Sequence, residues 1–132
     1  MKNTIFFVSK YLFYFSFIIL FILYLFPGSL IGYFLYGNLG QQPNFISNPI
    51  GTSINHLVFF FYLSILGFIF QSNQKKFINS FSFLFLISII LELLHYFIPN
   101  RAFELNDLYA NSLGVLIAYF VFKFLKKLKI EN

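Results

Sequence analysis

No cysteine occurs in the chain, so disulfides and thiolate chemistry are excluded. Charge is almost as scarce. Only 10% of the 132 residues are charged, whereas 59% are hydrophobic and 23 are phenylalanine. A soluble domain of this size leaves much of its chain outside and cannot hide so much apolar surface. Lipid is the solvent that this composition fits. Signatures of common enzyme classes are missing too: no activated-serine motif, no phosphate-binding loop and no His-Glu-x-x-His pair. A net charge of +5 raises nucleic acid as a partner. The lysines, however, sit at the ends of hydrophobic runs and not in a patch interleaved with aromatics, so no nucleic acid is expected.

What is present is four long apolar runs. Each approaches the ~20 residues with which a helix crosses the hydrocarbon core. Only helices and closed barrels satisfy their backbone in lipid, and the period-2 alternation of a barrel is absent. The expected fold is an all-α four-helix transmembrane bundle, one domain over residues 1–132, with helices near 5–26, 54–70, 77–98 and 107–125. The first run is long for a secretory leader and no Ala-x-Ala site follows it, so a retained span is expected. The connection over 27–53 holds five of the seven glycines and three of the four prolines, and it reads as a lid or re-entrant loop.

Lysine placement sets an expected topology in the cell membrane. Lys2 and Lys10 precede the first run, Lys75 and Lys76 separate the second and third, and Lys123, Lys126, Lys127 and Lys129 follow the fourth. Segment 27–53 carries no charge. The positive-inside rule then puts both termini and the Lys75–Lys76 turn in the cytoplasm, with the long loop and the turn after Pro99 outside.

Against this background Glu92 stands out, a carboxylate within Ile89-Ile90-Leu91-Glu92-Leu93-Leu94-His95. A charge at membrane depth is unfavourable and normally faces the protein interior with a partner. The topology places His56, Glu92, His95, Asp107 and Asn111, from three helices, in one slab of the outer half. Register supports convergence. Glu92, His95, Tyr96 and Pro99 share a helical face, as do Asp107, Asn111, Gly114 and Ala118, and His56, Phe60, Leu63 and Gly67. Gly114 and Ala118 form a small-xxx-small pair suited to close helix approach in lipid. Asn106 and Asp107 are also candidate N-caps of the fourth helix. Tyr96 and the phenylalanine stripes read as packing or lipid-facing surface.

Ordered together, His56, Glu92-Leu93-Leu94-His95, Pro99-Asn100-Arg101 and Asp107-x-x-x-Asn111-x-x-Gly114 resemble the VanZ-like family of small bacterial membrane proteins. The resemblance covers about residues 53–122, most of the chain. It departs at His95, where the family usually has glutamine, and at Thr52 and Ser53, where an acidic residue is often found upstream of the histidine. The family takes its name from a protein linked to resistance to teicoplanin-type glycopeptides. What it implies for this chain is fold more than mechanism.

Three functions follow as expectations. In the first, the chain acts on an envelope lipid: Glu92, His56 and Asp107 are the candidate catalytic groups, while His95, Arg101 and Asn111 hold the substrate. Arg101 suits a phosphate or carboxylate because its fork is planar. In the second, the same pocket binds an envelope lipid or glycopeptide without turnover. The third is proton-linked transport, disfavoured because the inner halves offer only Ser64, Asn79, Ser80 and Ser82. His56, Glu92, His95 and Asp107 are competent zinc ligands, but no compact ligand motif supports a metal, and no cofactor is expected.

Overall fold

The computed structural model describes residues 2–43, 51–71 and 77–131. The Lys75–Lys76 turn and the Asn48-Pro49 part of the long loop lie outside the described residues, as do the side chains of Lys2, Asn79 and Lys129. Among the described residues there are five helices and no strand: α1 (Lys2–Leu25), α2 (Leu30–Tyr36), α3 (Gly51–Gln71), α4 (Phe77–Leu94) and α5 (Leu105–Glu131). Three of them contain segments long and apolar enough to cross a membrane, namely Thr4–Leu25, Gly51–Gln71 and Leu105–Leu128. The apolar part of α4, Ser80–Leu94, is shorter.

α3 is the hub. It packs most extensively on α5 and next on α1, while α4 leans mainly on α5. The α3–α5 approach is close because Gly114 removes a side chain from the interface. A Cβ there would lie 2.5 Å from the Leu57 carbonyl oxygen and 2.9 Å from the Phe61 nitrogen, both backbone atoms of α3. The expected small-residue seam is thus present, with Ala118 fully buried one turn further on. Leu20, Phe60, Leu63, Phe68, Leu91 and Val115 complete a dry core with no exposed surface. Phe15, Tyr11, Phe120 and Phe124 point outward from α1 and α5, the pattern of a bundle whose solvent is acyl chain.

The helix boundaries differ from the expected ones in instructive ways. α3 begins at Gly51, so Ser53 is already helical and lies one turn before His56. α4 stops at Leu94 and does not run to residue 98. Its end tightens into i→i−3 bonds, with the amides of His95, Tyr96 and Phe97 donating to Glu92, Leu93 and Leu94. A turn closed by Arg101 N–H on the Ile98 carbonyl follows, with Pro99 second and Asn100 third at φ 59°. Proline then asparagine in left-handed conformation is the pattern of a type II turn. Tyr96 therefore leaves the face it would share with Glu92 and is exposed. α5 begins at Leu105, and the Glu104 carbonyl accepts from the Asp107 and Leu108 amides. Asp107 is thus a first-turn residue and not the cap; its charge still suits the positive end of the helix.

The long connection is partly helical. In α2, Ser29 accepts from the Gly32 amide at 2.9 Å, and Gly37 closes the far end by donating to the Tyr33 carbonyl at 2.8 Å. The chain then doubles back, with Ser29 N–H on the Leu39 carbonyl at 2.7 Å. This fold-back demands glycine at position 32, where a Cβ would fall 1.6 Å from the Gln41 carbonyl oxygen. The outer face of α2 is bare apolar surface, with Phe34 81% exposed.

Candidate functional site

Near the end of the bundle where α1 and α4 stop and α3 and α5 start, four helices contribute to one polar network. Glu92 is fully buried in it. Its Oε1 accepts from the Glu104 amide at 3.2 Å and faces His95 Nδ1 at 3.2 Å. Its Oε2 accepts from Asn111 Nδ2 at 3.3 Å and lies 3.8 Å from His56 Nδ1. Asp107 is 5% exposed; its Oδ1 accepts a 2.6 Å bond from the Ser53 hydroxyl, and its Oδ2 faces His56 Nε2 at 3.6 Å. The sequence-derived set of His56, Glu92, His95, Asp107 and Asn111 is therefore assembled in space.

Directionality fixes where protons sit. Asn111 Nδ2 faces two acceptors, Glu92 Oε2 and the Ser88 carbonyl, so its Oδ1 must be the atom turned to Tyr24. Tyr24 donates its one hydroxyl proton to that oxygen at 2.8 Å. Its oxygen is then left to accept from His56 Nδ1 at 2.8 Å. His56 consequently carries a proton on Nδ1 and turns Nε2 toward Asp107. His95 obeys a similar constraint. Its Nε2 faces the Tyr24 carbonyl at 3.2 Å and its Nδ1 faces Glu92, so both nitrogens meet acceptors.

Arg101 is anchored to the end of α1. Its Nε donates to the Phe26 carbonyl at 3.3 Å and its Nη2 to the Leu23 carbonyl. It thereby neutralises the C-terminal end of α1, where helix carbonyls lack partners. Burial lowers its pKa from the usual arginine value, which leaves it cationic. Glu104 is exposed, yet burial first, and then the charges of Asp107 and Glu92, push its carboxyl above the usual carboxylate range. Arg101 and His56 both line a cavity of about 100 Å³ between α1, α2 and α3, whose other walls include Leu20, Leu23, Leu30, Ile31 and Phe59. Asn55, bonded to the Pro43 carbonyl, ties the loop to its rim.

Two members of the network escape a reading by residue type. Tyr24 is the larger omission: it bridges α1 to α3 and α5, and its ring stacks on His95 with centroids 5.4 Å apart. The available signal was position, since Tyr24 lies three residues before Pro27 at the same depth as the other polar groups. Ser53 could have been found by register, because it precedes His56 by one helical turn.

The family model VanZ/LLP1 matches residues 2–126 of the 132, and the chain therefore belongs to this family. No curated protein and no solved structure matches it.

Proposed function

We propose that this VanZ/LLP1 family member is a multi-pass protein of the cell membrane that binds or processes the anionic head group of an envelope lipid at the outer face. The observation carrying this reading is the cavity under α2, where the Arg101 guanidinium and the His56 ring share apolar walls. Arg101 keeps Nη1 without a hydrogen-bond partner among the described residues, so its fork can still meet a phosphate or carboxylate oxygen. Volume narrows the ligand. Pockets that enclose a drug-sized molecule run to about 300–1,000 Å³. A cavity of about 100 Å³ takes a phosphate-sized group and leaves the rest of the ligand outside, which favours a lipid head group over an enclosed glycopeptide. The bare apolar face of α2 suits the membrane interface beside it.

Orientation follows from charge. Lys123, Lys126 and Lys127 lie at the opposite end of the bundle from the site, and the positive-inside rule assigns that end to the cytoplasm. Four spans, counting α4, put both termini there. In the far half, the Ser9 hydroxyl bonds carbonyls of its own helix and the buried Ser64 hydroxyl has no partner, so neither of these two links one helix to another.

The test is mass spectrometry of envelope lipids from deletion and wild-type cells, paired with lipids retained by the purified chain. A processing enzyme changes the covalent lipid profile on deletion; a binder retains a phosphate-bearing lipid that Arg101→Gln releases. Identical profiles together with identical retained lipids would refute both forms. Glu92→Gln keeps the shape of the side chain and removes its charge. Its new amide nitrogen would face a donor, either Asn111 Nδ2 or the Glu104 amide, so the variant is expected to lose stability together with the lipid effect.

A further inference from the structure

The geometry points to a divalent transition-metal site formed by His56, Glu92 and Asp107. This goes beyond the lipid reading and does not depend on it. One ligating atom from each residue lies within 4.8 Å of the others. Three different helices supply them, so the cluster is made by the tertiary fold and not by a local sequence motif; compact ligand spacing is absent from the chain for that reason.

At His56 and Asp107 the atoms left unbonded face each other, while Glu92 Oε2, which also accepts from Asn111, lies 3.8 Å from His56 Nδ1. His56 Nδ1 is engaged by Tyr24, which leaves Nε2 as the ligating nitrogen. Asp107 Oδ1 is engaged by Ser53, which leaves Oδ2. Among the described residues no hydrogen bond reaches Asp107 Oδ2, although the residue is 5% exposed. Nitrogen and oxygen stand 3.6 Å apart. Zinc bonds of about 2.0–2.2 Å at tetrahedral angles put neighbouring ligand atoms about 3.3–3.6 Å apart. Neutral Nδ1–H imidazole would set its lone pair against a carboxylate oxygen, an arrangement that calls for a metal cation or a proton between them.

Charge makes the same demand. Two carboxylates are buried, and among the described residues no lysine or arginine nitrogen lies within 4.0 Å of either; the only ion pairs they make are with histidines. Arg101 is directed to the carbonyls of α1. Metal sites orient their ligands through outer hydrogen bonds, typically from the second nitrogen of each histidine. Here Tyr24 holds His56, Ser53 holds Asp107, and Asn111 with the Glu104 amide holds Glu92. One imidazole and two carboxylates, with no thiolate in the chain, form an N/O set suited to Zn²⁺ or Mn²⁺.

The full chain in detergent, stripped with a chelator, is titrated calorimetrically with zinc and then manganese chloride. One ion per chain is expected for at least one of them. His56→Ala and Asp107→Asn should weaken binding more than 10-fold, and the outer-shell change Ser53→Ala by about 10- to 100-fold. Arg101→Gln, which releases lipid in the proposal above, should leave metal affinity unchanged, so the two ideas fail separately. Circular dichroism reports whether each variant folds. For any that does not, cobalt substitution in the wild type gives the answer: intense visible bands of a low-coordinate N/O site support the assignment. No stoichiometric binding by the wild type, or binding that survives His56→Ala and Asp107→Asn together, would show that only a proton joins these groups.

Discussion

The two halves of this bundle are held by different means. Toward the site, hydrogen bonds tie α1, α3, α4 and α5 through Tyr24, His56, Glu92 and Asn111. Toward the lysine end, contact is aromatic: Phe13 meets Phe17 and Phe70, Phe81 meets Tyr119, and Phe68 meets Phe122. Hydrogen bonds have direction and partners, so nearly every atom at the site end has one permitted neighbour. Aromatic and aliphatic contacts constrain volume and shape and tolerate exchange. The first half is joined by directed polar bonds, and the second by apolar packing.

Substitutions in each half test that division. Phe68→Ala deletes a fully buried ring in the apolar half, with an expected loss of about 3–5 kcal/mol measured by denaturation in detergent. Asn111→Leu keeps approximate size in the polar half but strips a donor from Glu92 and the acceptor from Tyr24; about 1–3 kcal/mol should be lost, together with function. Leu84→Met conserves volume in the apolar half and should cost under about 1.5 kcal/mol. Ser64→Ala runs the other way. Its hydroxyl is buried without a partner, so removal should stabilise by about 1 kcal/mol. Equal tolerance of Asn111→Leu and Leu84→Met would erase the distinction between the halves.

The long helices were readable before any coordinates, because apolar runs of this length satisfy their backbone in lipid only as helices. Glu92, His56, Asp107 and Asn111 were readable as well, since polar groups in apolar runs at equal depth have few places to point. Arg101 was half readable. Pro99-Asn100 announces a turn, but its target on the carbonyls of α1 depends on where α1 ends. Tyr24 was hidden by its own chemistry: its ring belongs in a core, and only the position of its hydroxyl reveals the bridge. The end of α4 was missed because the apolar pattern continues through Phe97 and Ile98, while the backbone has already tightened at His95.

The Tyr24–Asn111 bond tests the convergence of these helices most directly, because it joins α1 to α5 across the hub. A double-mutant cycle of Tyr24→Phe and Asn111→Ala, followed by unfolding in detergent, measures it. A coupling of about 1 kcal/mol or more is the expected result. Additivity within about 0.3–0.5 kcal/mol would mean that the two side chains do not meet and that the network is not formed as described.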